Sequence, residues 1–200
     1  MTYLTLALCM AGAFLLGSIP FGLVIAKTIK GIDPRKAGSG NIGSTNVARL
    51  CGWPCGVLTL FCDIMKGTLP VLIAVHVLPD QFLQSLVAVA AVMGHIKSPF
   101  LGFKGGKGVA TTIGALIPLA FLPLLCAVAC FFAVFFLTRY VSLSSMTMAV
   151  ALVVFYAVFG YWQLLPLGVL LAVMIIWAHR CNIGRLMRGE ESKFSIKKKA

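Results

Sequence analysis

A polar stretch rich in glycine and lysine, residues 95–112, separates two strongly apolar segments. It holds four glycines and three lysines: Gly102, Gly105, Gly106, Gly108, Lys97, Lys104 and Lys107. Glycine lets backbone N–H groups approach a ligand closely, and a cluster of such groups favours an anion. A helix beginning near Lys107 would add the positive end of its dipole. The pattern predicts capture of a phosphate by residues 104–108, which we call the glycine loop.

A plain basic loop beside a membrane would have the same composition, because positive residues flank membrane helices for topological reasons. A Walker-type nucleotide-binding loop is excluded, because it requires Gly-x-x-x-x-Gly-Lys-Ser/Thr. Here Leu101 stands at the first glycine position, and Gly108 stands where Ser or Thr is needed.

A second polar cluster lies in residues 30–49 and is rich in hydroxyl and amide side chains: Ser39, Asn41, Ser44, Thr45, Asn46 and Arg49. We expect Ser44 to cap a short helix that carries Thr45, Asn46 and Arg49. The four-residue spacing places Thr45 near Arg49 on one helix face. Such groups are suited to binding a phosphorylated polyol.

Two further groups are candidates for chemistry. Asp63 and Lys66 lie three residues apart in an apolar segment, which places both on one helix face. Charges at membrane depth are costly, so they form either an internal ion pair or part of a buried polar site. Towards the C-terminus, His179 and Asn182 have the same spacing. Histidine titrates near neutral pH, so His179 is a candidate general base, although it could equally be an interfacial residue.

The composition places these groups in a membrane protein. The 200 residues are 60% hydrophobic, and the mean hydropathy is +1.01. A net charge of +12 suggests nucleic acid in a soluble protein, but here the basic residues adjoin apolar segments and indicate membrane orientation or anionic ligands instead. The seven cysteines lack zinc-site spacing, so we expect free thiols and neither metal nor cofactor.

We predict an all-α bundle of about seven transmembrane helices with short polar loops, forming one domain over residues 1–200. The apolar segments are 3–28, 53–78, 82–96, 109–137, 146–159 and 164–177, and the fourth is read as two spans with a break near Pro118–Pro123. Seven crossings place every lysine and arginine except Lys66 on one side, including a basic tail at about 180–200. The N-terminus is then outside and the C-terminus cytoplasmic. The glycine loop, residues 39–49, the Ser142–Ser145 turn with Ser144, and His179 with Asn182 would converge at the cytoplasmic mouth.

Six motifs in order resemble the bacterial integral-membrane acyl-phosphate:glycerol-3-phosphate acyltransferases over nearly the whole chain. They are Gly-Ser-Ile-Pro at 17–20, residues 39–49, Asp-Ile-Met-Lys-Gly at 63–67, Gly94-His95, residues 103–111 and His-Arg-Cys-Asn at 179–182. Ser44 departs from the family pattern, where a small residue such as alanine is expected.

The resemblance implies transfer of an acyl group from acyl-phosphate to the 1-hydroxyl of glycerol 3-phosphate in a bacterial inner membrane. It implies essential roles for Ser39 and Arg49 and glycerol 3-phosphate binding by the glycine loop. It also implies supporting roles for His179 and Asn182. A tail glutamate, Glu190 or Glu191, would be structural, and Glu190 is our first assignment.

The remaining assignments follow from charge and hydrogen-bonding capacity. Lys107 joins the catalytic set, and Asp63 and Lys66 are assigned as structural. Substrate contacts are expected from Lys104, Gly105, Gly106, Gly108, Asn41, Thr45, Asn46 and Ser144. We expect lipid and the two substrates as partners, no nucleic acid, and a functional monomer.

A small transporter of an organic phosphate is the alternative, since it also needs cations and broken helices. Such a transporter would usually show internal repeats and polar groups at the bilayer midplane. No internal repeat is visible in the sequence. The acyltransferases that carry His-x-x-x-x-Asp are disfavoured, because His76 and Asp80 are one residue too close.

Overall fold

The computed structural model describes residues 2–195, and within them the chain consists of helices and connecting turns without a strand. The predicted all-α class is confirmed. The chain forms two compact units, the first ending at Ala120 and the second beginning at Phe121. The tail lysines Lys197, Lys198 and Lys199, used above for orientation, lie outside the described residues. The assignment of residues 1–200 to one functional domain stays a prediction.

The described part of the first unit, residues 2–120, contains six α-helices: α1 Thr2–Ser18, α2 Phe21–Lys30, α3 Ser44–Cys51, α4 Trp53–Val77, α5 Gln81–Ile96 and α6 Val109–Leu116. The predicted first segment is divided into α1 and α2 at Ile19 and Pro20. Proline has no N–H to donate, so helical hydrogen bonding stops there and leaves backbone carbonyls for other partners.

Glycines allow the helices of this unit to approach closely. A Cβ at Gly17 would overlap the backbone of α5, and one at Gly94 would overlap the backbone of α1. A Cβ at Gly67 would overlap the backbone of α6, and one at Gly114 would overlap the backbone of α4. Small residues at helix contacts are typical of membrane bundles, where backbone packing contributes much of the association. These contacts place α5 and α6, which flank the glycine loop, against α1 and α4.

The second unit, as far as residue 195, contains four α-helices: α7 Phe121–Thr138, α8 Val141–Val158, α9 Leu165–Ala178 and α10 Arg180–Met187. The predicted Ser142–Ser145 turn is wrong, because Ser142, Ser144 and Ser145 already belong to the first turns of α8. The helix α10 was not predicted, because only eight residues with few apolar side chains form it. The break before α7 covers residues 117–120, and Pro123 lies in the first turn of α7, where proline is tolerated.

In the part of the chain that the structure describes, four helical stretches are long and apolar enough to cross a membrane: Thr2–Lys30, Trp53–Val77, Phe121–Thr138 and Val141–Val158. A fifth results if Trp162–Ala178 and Arg180–Met187, bent by 60°, count as one span. Large apolar side chains such as Phe61, Ile73 and Phe136 are exposed, as expected for lipid-facing surfaces. Multiple membrane crossings are therefore supported. The number seven stays a prediction, because α5 and α6, which it counts as parts of spans, have only 16 and 8 residues.

Candidate active site

The loop that carries Ser39 is built around the side chain of Asn46. The Asn46 amide nitrogen donates to the backbone oxygens of Pro34, Ala37 and Asn41 at 2.9, 3.2 and 2.9 Å. Its amide oxygen accepts the N–H of Ser39 at 2.9 Å. Asn46 is only 2% exposed. The structure thus gives Asn46 a different role from the predicted substrate contact: its hydrogen bonds hold the loop together.

Other predicted contacts of this cluster remain near the surface. Ser39 and Arg49 are exposed, and Thr45 is partly exposed one helical turn before Arg49 on α3. The Asn41 side-chain oxygen accepts the N–H of Gly43 at 2.8 Å, which shapes the turn before α3. The predicted helix is present, but its N-cap is Gly43 rather than Ser44. The cluster thus presents a hydroxyl-bearing loop beside a guanidinium-bearing helix.

The glycine loop lies between the end of α5 and the start of α6. The N–H of Gly105 donates to the oxygen of Ile96 at 3.0 Å, and that of Gly106 donates to the oxygen of His95 at 2.9 Å. These two N–H groups are therefore occupied within the protein. They bond there because the loop folds back on the last turn of α5, and the substrate contacts expected from Gly105 and Gly106 stay a prediction.

Anion-binding capacity remains at the end of the loop. Gly108 is the N-cap of α6 and has φ 81°, a left-handed conformation that favours glycine. The first helical bond runs from the N–H of Thr112 to the oxygen of Gly108 at 2.8 Å, so the preceding N–H groups point out of the helix end. Lys104 is exposed and Lys107 is partly exposed. Two lysines and a helix N-terminus therefore lie in one short segment.

A buried ion pair lies behind this loop. Lys66 Nζ is 2.8 Å from Asp63 Oδ1, and it also donates to the oxygen of Ile19 at 2.8 Å. The pair therefore joins α4 to the break between α1 and α2, as the internal-ion-pair interpretation predicts. His95 Nδ1 lies 3.7 Å from the same Asp63 oxygen. We gave His95 no role from the sequence; its only signal was its place in a family motif beside the glycine loop.

The serines at the start of α8 bond mainly within the protein. Ser144 Oγ donates to the oxygen of Tyr140 at 2.8 Å, and Ser144 is fully buried. Ser145 Oγ donates in the same way to Val141. The Ser144 donor is therefore used within the helix, and the predicted substrate contact of Ser144 stays a prediction.

His179 joins α9 to α10, where it serves as the C-cap of one helix and the N-cap of the other. Its Nδ1 lies 2.8 Å from the oxygen of Ile175. Because a carbonyl oxygen only accepts, Nδ1 carries the proton in this bond. The ring is 2% exposed, so its orientation is held by the helix end. In the neutral ring, Nε2 is then the nitrogen with a lone pair.

The tail glutamate with the larger bonding role is Glu191. Its carboxylate accepts from Ser142 Oγ at 2.7 Å, Asn182 Nδ2 at 2.5 Å and Arg185 Nε at 2.7 Å. Glu190 instead contacts the exposed Arg188 side chain. The described contacts therefore replace our first assignment, Glu190, with Glu191, because its carboxylate joins α8 and α10.

The same contacts control the ionisation of Glu191. Burial by itself would raise the pKa of this carboxyl, but the hydrogen bonds from Ser142, Asn182 and Arg185 outweigh it and hold the pKa below its ordinary value. A lowered folded-state pKa contributes stability above the unfolded pKa, and this contribution is lost as pH falls through the folded value.

We expect Glu191→Ala to destabilise the fold by about 1–3 kcal/mol, because three donors lose a charged acceptor. The control Glu190→Ala should cost about 0–1 kcal/mol, since its ion pair is exposed. Thermal unfolding in detergent at neutral pH and near pH 3 measures both. The difference between the two variants should shrink at the lower pH, and equal stability at neutral pH would contradict the assignment.

Among residues 2–195, no group of three or more His, Cys, Asp or Glu is placed to hold a metal ion. Within the first unit, the structure brings together Ser39, Asn41 and Asn46, and separately the glycine loop with His95. Within the second unit, it brings Asn182 together with Glu191 and Ser142.

Comparisons with known proteins identify the family. A family model described as glycerol-3-phosphate acyltransferase matches residues 7–189. Glycerol-3-phosphate acyltransferases of Nitratidesulfovibrio vulgaris and Desulfovibrio desulfuricans are 50% and 48% identical over 191 and 187 residues. These alignments cover 95% and 94% of this chain. The chain spans 58% of the length of the first relative and 84% of the second.

Two solved structures of an integral membrane glycerol 3-phosphate acyltransferase, PlsY (YgiH), have the same fold. One is a glycerol 3-phosphate form with a TM-score of 0.91, and the other is a lysophosphatidic acid form with a TM-score of 0.89. Each is 41% identical, with 96% of both chains covered. Together with the family model, these matches favour the acyltransferase over the transporter alternative. The chain belongs to the glycerol-3-phosphate acyltransferase family of integral-membrane acyltransferases.

Proposed function

We propose that this protein transfers an acyl group from an acyl-phosphate to the 1-hydroxyl of glycerol 3-phosphate. The products are lysophosphatidic acid and inorganic phosphate, at the start of phospholipid synthesis. One observation carries the proposal: the chain matches, over 96% of its length, an enzyme solved in a glycerol 3-phosphate form and in a lysophosphatidic acid form. These two molecules are the acceptor and the product of the proposed reaction.

The proposed chemistry is direct attack. The 1-hydroxyl oxygen forms a bond to the acyl carbonyl carbon, the bond from that carbon to the phosphate oxygen breaks, and phosphate leaves with the electron pair. The hydroxyl proton passes to a phosphate oxygen of a substrate. An acyl-phosphate is an activated mixed anhydride, so positioning and charge stabilisation supply most of the catalysis.

The first unit supplies cations and hydroxyl groups in this proposal. Lys104, Lys107 and the N-terminus of α6 bind the phosphate of glycerol 3-phosphate, because ammonium groups and helix N-termini both attract anions. Arg49 stabilises phosphate charge on the acyl donor, since a guanidinium can bind phosphate through two hydrogen bonds. Ser39 and Thr45 contribute hydrogen bonds to the polar substrates. The exposure of Ser39, Arg49 and Lys104 supports these roles.

The second unit supplies an oriented imidazole and an oriented amide. The Nδ1–H bond of His179 to Ile175 fixes the ring and leaves the lone pair on Nε2. The bond of Asn182 to Glu191 holds its amide one turn later on α10. We assign both side chains to orienting substrate and stabilising charge, with His179 not required as the base.

The proposed setting is the inner membrane of a bacterium, with a monomer acting at the cytoplasmic face. The N-terminus lies outside and the C-terminus in the cytoplasm. The observation that motivates this orientation is the segregation of lysine and arginine on one side of the predicted spans.

One experiment tests both the donor and the membrane face. In sealed inverted vesicles that contain the protein, glycerol 3-phosphate and acyl-phosphate should give lysophosphatidic acid. Acyl-CoA with the same acyl chain should not. Right-side-out vesicles should stay inactive until detergent opens them, because glycerol 3-phosphate is charged and does not cross lipid. Equal turnover with acyl-CoA would reject the proposed donor, and activity in intact right-side-out vesicles would reject the orientation.

A further inference from the structure

The side chain of His95 lies in the last turn of α5 between the carboxylate of Asp63 and the backbone of Gly106. The ring is 4% exposed, and its Nδ1 is 3.7 Å from Asp63 Oδ1. On its other edge, Nε2 contacts Gly106 so closely that any Cβ at position 106 would overlap the ring. Gly106 is therefore required for packing against His95.

The backbone of the same turn also holds the glycine loop. The N–H groups of Gly106 and Gly105 donate to the oxygens of His95 and Ile96. A Cβ at Gly105 would overlap those backbone oxygens rather than the ring. Two adjacent glycines thus pack on His95 in different ways, one on its side chain and the other on its backbone.

The residues on the Asp63 side of the ring are held in place by an ion pair and by hydrogen bonds to the end of α1. Asp63 is paired with Lys66, and Lys66 donates to the oxygen of Ile19 at the break after α1. Ser98, which follows α5, donates through Oγ to the oxygen of Ser18 at 2.6 Å. The broken end of α1 therefore anchors both the ion pair behind His95 and the segment that leads into the glycine loop.

We propose that His95 is a positioning residue that sets the place of Gly106 and, through it, of Lys104 and Lys107. The proposal rests on the proposed function, because it takes glycerol 3-phosphate as the ligand of this loop. Loss of the ring should change the KM for glycerol 3-phosphate more than kcat, since a displaced loop weakens ground-state binding. The imidazole acts on the loop backbone and takes no part in the bond changes.

A double-mutant cycle tests the contact. In the wild-type background, Gly106→Ala should raise the KM for glycerol 3-phosphate by about tenfold, because the new methyl group displaces a tightly packed ring. In the His95→Ala background, the same change should raise KM by about threefold or less, because the ring is no longer there to collide. If Gly106→Ala raised KM by the same factor in the two backgrounds, the proposal would be overturned.

Gly105→Ala is the matched control. Its methyl group would meet the backbone oxygens of residues 95 and 96, which remain in His95→Ala. Gly105→Ala should therefore raise the KM for glycerol 3-phosphate by the same factor in both backgrounds. If His95→Ala reduced the rise in KM caused by Gly105→Ala as much as the rise caused by Gly106→Ala, the loop would be loosened in general. That result would also overturn the proposal.

Two conservative variants test the contact independently. In His95→Gln the amide reaches the Nε2 position, so the KM for glycerol 3-phosphate should stay close to that of the wild type. In His95→Asn the amide reaches only the Nδ1 position, so KM should rise as it does in His95→Ala. Equal KM values for the two variants would contradict a role for the contact with Gly106.

A measurement without substrate separates this proposal from the proposed function. The midpoint of thermal unfolding in detergent should be measured for the same variants. Gly106→Ala should lower this midpoint less in the His95→Ala background than in the wild-type background. If the wild type does not acylate glycerol 3-phosphate, the proposed function fails, while these midpoints still decide the packing contact. If the wild type is active and neither KM nor the midpoint shows coupling, His95 has no positioning role.

Discussion

Replacement of His179 by glutamine should retain a large part of the acyl-transfer rate, whereas His179→Ala should lower kcat by about 100-fold, the scale of a misplaced reacting group. Glutamine keeps a hydrogen-bond donor and acceptor at the reach of Nε2. Alanine removes both and also leaves a gap between α9 and α10. Steady-state kinetics with acyl-phosphate and saturating glycerol 3-phosphate measure the difference.

A general base would give another result. Both variants would then lose about 10²–10⁴-fold in rate, and wild-type kcat would fall towards acid pH as the base became protonated. Near-complete loss in a folded His179→Gln protein would therefore reject the orientation role. His76→Gln is the matched control, because His76 is exposed near the C-terminal end of α4 and should change little.

Loss of Lys66 should destabilise the protein by about 3–5 kcal/mol, the cost of leaving one member of a buried ion pair without its partner. In Lys66→Met the Asp63 carboxylate remains buried, and the oxygen of Ile19 loses its donor. Unfolding by a denaturing detergent, followed by circular dichroism, measures the change. The double variant Asp63→Asn with Lys66→Met should be less destabilised than the sum of the single variants, because it leaves no unpaired charge.

The surface pair between Lys27 and Asp33 provides the control. Its atoms are 3.8 Å apart, and the Lys27 side chain is 53% exposed. Lys27→Met should therefore cost no more than about 1 kcal/mol. A Lys66→Met protein as stable as Lys27→Met would mean that the buried pair contributes little to this fold.

The sequence by itself determined the class of the protein. Hydropathy and helical period are properties of neighbouring residues, so the all-α membrane class and most helices could be predicted from them. Proline interrupts helices through its own backbone chemistry, which explains the predicted break near Pro118–Pro123. The motifs that carry the family resemblance are also local, since each occupies a few consecutive residues.

The tertiary structure alone decided which polar groups are occupied. Glu191 accepts from Ser142, 49 residues away in the chain, and Lys66 donates to Ile19, 47 residues away. Gly106 packs on His95, although both belong to one short stretch in which the sequence indicated N–H groups facing a ligand. Hydrogen-bond partners are selected by distance and burial in the folded chain, and a list of residue types contains neither. For that reason the hydrogen bonds that Asn46, Ser144 and the glycine N–H groups make within the protein were not predicted, and His95 was missed.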